Sequence, residues 1–184
     1  MKTEEKRYLS ADEFLHDSWR LAACVRRGGW RPDVLLALWR GGAFPGVAVH
    51  EFLKASGWPL RHLPLKCSSY TGIGSTSGQV LFEFADAALC SIGRGERVLV
   101  VDDVLDTGIT AKAVRRRLAE AGADARVATV YWKRANDRTG ETPDYYVREL
   151  DEWIVFPHEI EGLDRSEVAR KDPLLAALLP TAEN

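Results

Sequence analysis

The stretch that most constrains this chain is Arg97-Val-Leu-Val-Val-Asp-Asp-Val-Leu-Asp-Thr-Gly-Ile-Thr110. Val98 to Val101 is an unbroken, β-branched-rich apolar run, the pattern of a strand buried on both faces. It gives way to Asp102 and Asp103, and then to Asp106. Behind Thr107, Gly108 and Thr110, apolar residues recur at Ala111, Val114, Leu118 and Ala121. Spacings of three and four make that the stripe of an amphipathic helix. The prediction is strand, acidic turn, helix. In open α/β sheets ligands bind beyond the carboxyl ends of the strands, where these polar groups would lie.

The turn has two chemical halves. Thr107 to Thr110 supplies a glycine for close backbone approach, two hydroxyls and a helix N-terminus with unsatisfied N–H groups, which together suit a phosphate monoester. Asp102 and Asp103 would repel a phosphate but suit vicinal hydroxyls or a hydrated divalent cation. A sugar phosphate wants both halves. The plainer reading is that Asp106 or Thr107 caps the helix and the other acids end a solvated strand. Capping needs one such residue, not three carboxylates after a buried strand.

An apolar strand, two acids, two apolar residues, one further residue and then Thr-Gly-x-Thr resembles the phosphoribosyl pyrophosphate signature of the type I phosphoribosyltransferases. Asp106 directly before Thr-Gly is similar to the 6-oxopurine branch of that family, which takes hypoxanthine, guanine or xanthine. The resemblance spans roughly residues 8 to 160.

Composition sets the outer bounds. The chain has 184 residues, 46% apolar and 28% charged, with a formal net charge of −2. That is one soluble globular domain with enough chain for a core. The charge balance argues against a general nucleic-acid or membrane surface. Cys24, Cys67 and Cys90 are odd in number and lack metal-ligand spacing, so they are expected to be reduced, in a cytoplasmic protein. No signal peptide and no apolar run of membrane-spanning length is evident.

Taken in order, residues 1–9 are polar and expected to be frayed. Ser10-Ala-Asp-Glu13 is a capping box opening a helix that Arg26-Arg27-Gly28-Gly29 ends. Val34 to Trp39 is predicted as a strand, and Ala43 to Ser56 as a helix. Between them Arg40-Gly41-Gly42 is again a ligand-facing turn, or else an ordinary glycine turn with a solvated arginine. The resemblance places the pyrophosphate-binding loop there and implies a cis Trp39–Arg40 peptide that frees a backbone amide. Arg61 to Lys66 is predicted as a strand and Val80 to Phe84 as extended chain. The stretch between, Ser68 to Gly78, holds four serines, three glycines and two threonines, which cannot pack, so a loop or lid is expected. The resemblance makes Ser69-Tyr70 the pair that folds over the reacting atoms.

Val127 to Trp132 and Tyr145 to Leu150 complete the predicted strands. Strand–helix alternation predicts an α/β fold with a central parallel sheet flanked by helices, to which the resemblance adds a small hood. Residues 1–163 are taken as the phosphoribosyltransferase domain. Residues 164–184 are a helical tail, packed on that domain or on a partner through its Leu174 to Leu179 stripe.

The resemblance also implies the roles. Asp106, Lys133 and Arg40 are the catalytic set: Asp106 takes a proton from the purine, Lys133 polarises its exocyclic oxygen, and Arg40 with Gly41 binds pyrophosphate. Asp102, Asp103, Asp106, Thr107, Gly108, Ile109 and Thr110 hold the phosphoribosyl group. Trp153 stacks on the base, and Ile154 reads its edge through the backbone. Mg2+ is the expected cofactor, at Asp102, Asp103 and Glu159, where Glu159 stands in place of the aspartate common in bacterial relatives. Phosphoribosyl pyrophosphate and a purine base are the expected partners of a homo-oligomeric enzyme. Two other classes remain open: a non-catalytic regulator of the same fold binding the same ligand, and a transferase for orotate or uracil.

Overall fold

The computed structural model describes residues 6–70, 79–83 and 85–180. In chain order the elements are β1 (Lys6–Tyr8), α1 (Ala11–Arg27), β2 (Val34–Trp39), α2 (Ala43–Ala55), β3 (Arg61–Tyr70), β4 (Gln79–Glu83) and α3 (Ala85–Cys90). There follow β5 (Arg97–Leu105), α4 (Ile109–Glu120), β6 (Asp124–Trp132), a 3-10 turn (Arg134–Asn136), β7 (Tyr145–Glu149), β8 (Trp153–Val155), α5 (Arg165–Lys171) and α6 (Pro173–Leu178).

The chain divides into two compact units, residues 15–151 and residues 1–14 with 152–184. The first holds a six-stranded sheet of order β4-β3-β2-β5-β6-β7, in which β2, β3, β5, β6 and β7 pair in parallel and β4 joins β3 antiparallel. Successive strand residues point to opposite faces. Val34, Leu36, Val98, Val100 and Val127 accordingly pack with Val114 and Leu118 of α4 and Leu89 of α3. On the other face Gly46 of α2 lies against Ala37, and Tyr131 of β6 bonds to Asp17 of α1. Both faces are covered, so Val98 to Val101 are all fully buried. Each such side chain contributes roughly 1.5–3 kcal/mol of burial energy, which fixes β5 at the centre of the sheet.

The second unit pairs β1 with β8 in parallel. Phe14 and Phe156 pack with ring centroids 5.2 Å apart. Helix α5 opens on a capping box formed by Asp164 and Glu167, and Asp172 caps α6.

Three local expectations are corrected. Lys6 to Tyr8 is a strand, held by β8, and not a frayed end. β5 runs through Asp102 and Asp103 to Leu105, because its ladder with β6 continues to Leu105 opposite Trp132. The acids therefore stand in the strand and not in a turn. Likewise Ser68 to Tyr70 belong to β3, opposite Leu81, Val80 and Gln79. The rest of the expected lid, residues 71–78, lies outside the described residues, as do the side chains of Ser69 and Tyr70.

Candidate active site

The turn of Asp106 to Gly108 starts where β5 ends. Gly108, at φ +78°, is the N-cap of α4, and no side chain caps that helix. A left-handed φ is unfavourable for any residue with a Cβ, which explains the glycine. The first N–H groups of α4 therefore have no side-chain acceptor and point past Gly108, as an anion site requires. That outcome removes the plainer reading of Asp106 or Thr107 as the cap. Asp102, Asp106, Thr107, Gly108 and Thr110 line one cavity of about 260 Å³.

The second turn follows β2. The Trp39–Arg40 peptide is cis, and Arg40 is exposed. Helix α2 begins at Gly42, again without a side-chain cap. Trp39, Arg40, Gly41, Lys66, Asp102 and Thr110 line a second cavity of about 620 Å³. Asp102 and Thr110 border both cavities, so the two turns face a shared region.

The acids tie these turns together. The Gly42 amide bonds to the Asp102 carboxyl. A Cβ on Gly41 would collide with the Asp103 carboxylate, and one on Gly42 with the carbonyl oxygens of Val101 and Leu38. Glycine is needed at 41 and 42 for space, and at 108 for conformation. Asp103 is buried, and its Oδ1 accepts from the Val104 amide at 2.7 Å. The Asp102 carboxyl is pushed well above the ordinary carboxylate range, first by burial and then by the charge of Asp103. Two adjoining acids of this kind resist joint ionisation. Burial, and less so Asp102, also raises the Cys67 thiol to about 12, so Cys67 is an inert wall of the second cavity.

Lys133 follows β6 and is buried. Its amide donates to the Leu105 carbonyl at 2.9 Å, which brings it to the end of β5 beside the Asp106 to Gly108 turn. It is also the N-cap of the 3-10 turn. At the far end of that turn, Asn136 Nδ2 donates to Asp106 Oδ1 at 2.7 Å. Asn136 is a site residue that sequence reasoning missed. Its only signal was a turn-forming residue close behind Lys133.

Trp153, Ile154 and Glu159 belong to the other unit. Trp153 is half exposed on β8 and Ile154 is buried. Glu159 Oε2 accepts from the Phe156 amide at 3.1 Å, closing a short turn, and Lys171 donates to the carbonyls of Phe156 and Glu159. Among the described residues no group of three or more His, Cys, Asp or Glu is placed to hold a metal ion.

The chain is similar in sequence and fold to known proteins. The phosphoribosyl transferase domain family matches residues 5–164. A xanthine-guanine phosphoribosyltransferase of Nitratidesulfovibrio vulgaris (strain DP4) is 33% identical over 148 residues, covering 78% of this chain and 76% of that one. A hypoxanthine-guanine phosphoribosyltransferase of Lactococcus lactis is 30% identical, covering 100% of this chain and 96% of that one. Among solved structures, a purine phosphoribosyltransferase from Pyrococcus horikoshii superposes with a TM-score of 0.67 at 27% identity, over 86% of this chain and 97% of that one.

Proposed function

The chain belongs to the phosphoribosyltransferase family, and on that premise we propose that it transfers the 5-phosphoribosyl group of phosphoribosyl pyrophosphate to a 6-oxopurine. The products are a purine nucleotide and pyrophosphate, as in purine salvage. The observation that carries the reading is the cavity at the end of β5, where the carboxyls of Asp102 and Asp106, the hydroxyls of Thr107 and Thr110 and an uncapped helix N-terminus converge.

The reaction breaks the bond from the sugar's anomeric carbon to pyrophosphate and forms one to a ring nitrogen. Its transition state is oxocarbenium-like, so catalysis rests on stabilising the leaving group and holding the nucleophile in line. Thr107, Thr110 and the α4 amides anchor the 5′-phosphate, with Gly108 and Ile109 supplying backbone. Arg40 and the Gly41 backbone take the pyrophosphate. Asp106 accepts the proton leaving the purine, and Lys133 donates to the exocyclic oxygen. Trp153 is assigned to stacking on the base and Ile154 to its edge.

Asp102 and Asp103 suit a divalent cation, since their mutual repulsion falls when a positive charge arrives. Magnesium is commonly held by one or two carboxylates and substrate phosphate oxygens, with no all-protein cage. When bound, it would supply charge neutralisation on the pyrophosphate. Glu159 is the weakest candidate for it, because its carboxylate already serves the Phe156 amide. No helix among the described residues is long and apolar enough to cross a membrane. We take the enzyme to be cytoplasmic and homo-oligomeric, acting on small molecules alone.

The test is pyrophosphate release from phosphoribosyl pyrophosphate with magnesium, across hypoxanthine, guanine, xanthine, adenine, orotate and uracil. Release with at least one 6-oxopurine, and not with the pyrimidines, is expected. Release with orotate or uracil alone would move the chain to another branch. Binding without release for every base would make it a regulator.

A further inference from the structure

We infer that Asn136 is the positioning residue for the proton acceptor: its side-chain amide holds Asp106 in the orientation that faces the purine. This rests on the reading of Asp106 given above. The bond from Asn136 Nδ2 to Asp106 Oδ1 is 2.7 Å long, short for an amide donor and in the range of a charge-assisted bond. A side-chain amide N–H donates only, so the bond fixes Asp106 Oδ1 as the acceptor and sets the plane of the carboxyl group. It occupies Oδ1 and leaves Oδ2 to the substrate.

The surrounding segment does not need this bond to stay in place. The Arg138 amide donates to the Thr107 carbonyl at 3.1 Å. Asp137 Oδ1 accepts from the Thr139 amide at 2.9 Å, and Arg115 binds Asp144 at 2.6 Å. Residues 137–144 are thus anchored to the Asp106 to Gly108 turn and to α4 by other groups. They press closely enough that a Cβ on Gly108 would meet Thr139 Oγ1. Asn136 is exposed, so its bond adds little to stability. What it does add is a fixed rotamer for Asp106, whose side chain would otherwise turn freely in a partly open site.

The 3-10 turn gives the arrangement a second consequence. Its first boundary is Lys133 and its last residue is Asn136, whose amide donates to the Lys133 carbonyl at 3.0 Å. One rigid turn therefore sets both the lysine assigned to the purine oxygen and the amide that orients the acceptor. A misplacement near 1 Å can cost about a hundredfold in rate.

The experiment is a double-mutant cycle on the full chain. Steady-state rates are measured with the 6-oxopurine giving the highest rate, for the parent, Asn136→Ala, Asp106→Asn and the double variant, with Asn136→Asp as an isosteric residue that cannot donate when ionised. Asn136→Ala should lower kcat about tenfold to a hundredfold. KM for phosphoribosyl pyrophosphate should change less than about threefold, and the melting temperature should hold. Asn136→Asp should be at least as slow, since it sets like charges side by side. In the Asp106→Asn background the loss of Asn136 should have no further effect, because no proton acceptor remains to orient. Equal losses in both backgrounds, or an unaltered kcat in Asn136→Ala, would overturn the inference. A rate within twofold of the parent for Asp106→Asn alone would remove the underlying reading as well, and that result is visible without any Asn136 variant.

Discussion

Asp17 and Asp102 both carry a carboxyl into the six-stranded unit, but their surroundings differ. Asp17 is fully buried on α1 and accepts from Tyr131 Oη at 2.9 Å, Arg148 Nη2 at 2.9 Å and Arg20 Nη1 at 2.6 Å. Burial alone would raise its pKa, but the donated bonds from Arg148, Arg20 and Tyr131 outweigh it and hold the carboxyl below its ordinary range. Asp102 accepts from the Asp103 and Gly42 amides, yet burial and then the charge of Asp103 act on it more strongly, and it stays raised. The structural aspartate is supplied with its own cations. Asp102 is raised by burial and a like charge, the pattern of a perturbed group in a cleft. One unit thus holds two carboxyls whose surroundings move their pKa values in opposite directions.

The sharpest way to break this contrast is to remove Asp17. Asp17→Ala should cost about 3 kcal/mol in urea unfolding, the low end for splitting a buried charge network. The low end applies because Arg20 and Arg148 still reach water. A cost below about 1 kcal/mol would mean that the network is no more than a surface ion pair. The pH dependence has a defined sign. With its folded pKa depressed, Asp17 stabilises the fold above the unfolded carboxyl value of about 3.9. That stability is lost as pH falls through the lower folded value, so Asp17→Asn should flatten the acid-unfolding curve below about pH 4.

Next in size is Gly42→Ala, which tests how firmly the turn beside Asp102 is placed. The new Cβ meets backbone oxygens of β2 and β5, which cannot swing aside. A loss of about 1–3 kcal/mol is expected, with weaker binding of pyrophosphate by calorimetry. Unchanged stability and binding would show that the turn is free to shift.

The smallest effect is the most informative about Asp102. Its folded pKa is raised, so its contribution is full below the unfolded value and fades as pH rises through the folded one. Asp102→Asn keeps an oxygen for the two amides and offers Asp103 a donor. The variant should melt higher at neutral pH by about 2–4 °C, which is what 1 kcal/mol is worth in a chain of this size. The gain should shrink at pH 4, while pyrophosphate release falls. A lower melting temperature at neutral pH would contradict the account of the acid pair.

Much of this was legible in the residues. The β2 run Val34–Trp39 was bounded as observed, because an apolar segment buried on both faces stands out from its flanks. Ser10 Oγ accepts from the Glu13 amide at 3.1 Å, as the capping signature implied. What was not legible is long-range. Apolar patterning stopped β5 at Val101, but backbone pairing with β6 carries the ladder through two acids that no burial pattern could mark. β3 extends into serines because β4 supplies it with a partner, and the polar β1 exists only through β8. At the site, the turn of Asp106 to Gly108 was readable because its polar residues are contiguous in sequence. Asn136 was not, since its contact with Asp106 spans 30 positions and depends on where the 3-10 turn folds back.

The central claim is that Asp106, at the end of β5, accepts a proton during ribosyl transfer to a purine. The most direct measurement is kcat for Asp106→Asn with its preferred 6-oxopurine, beside calorimetry of phosphoribosyl pyrophosphate binding. Loss of a general base predicts a fall of about a hundred- to ten-thousandfold with binding nearly unchanged. A kcat within twofold of the parent, or binding lost in step with rate, would contradict it.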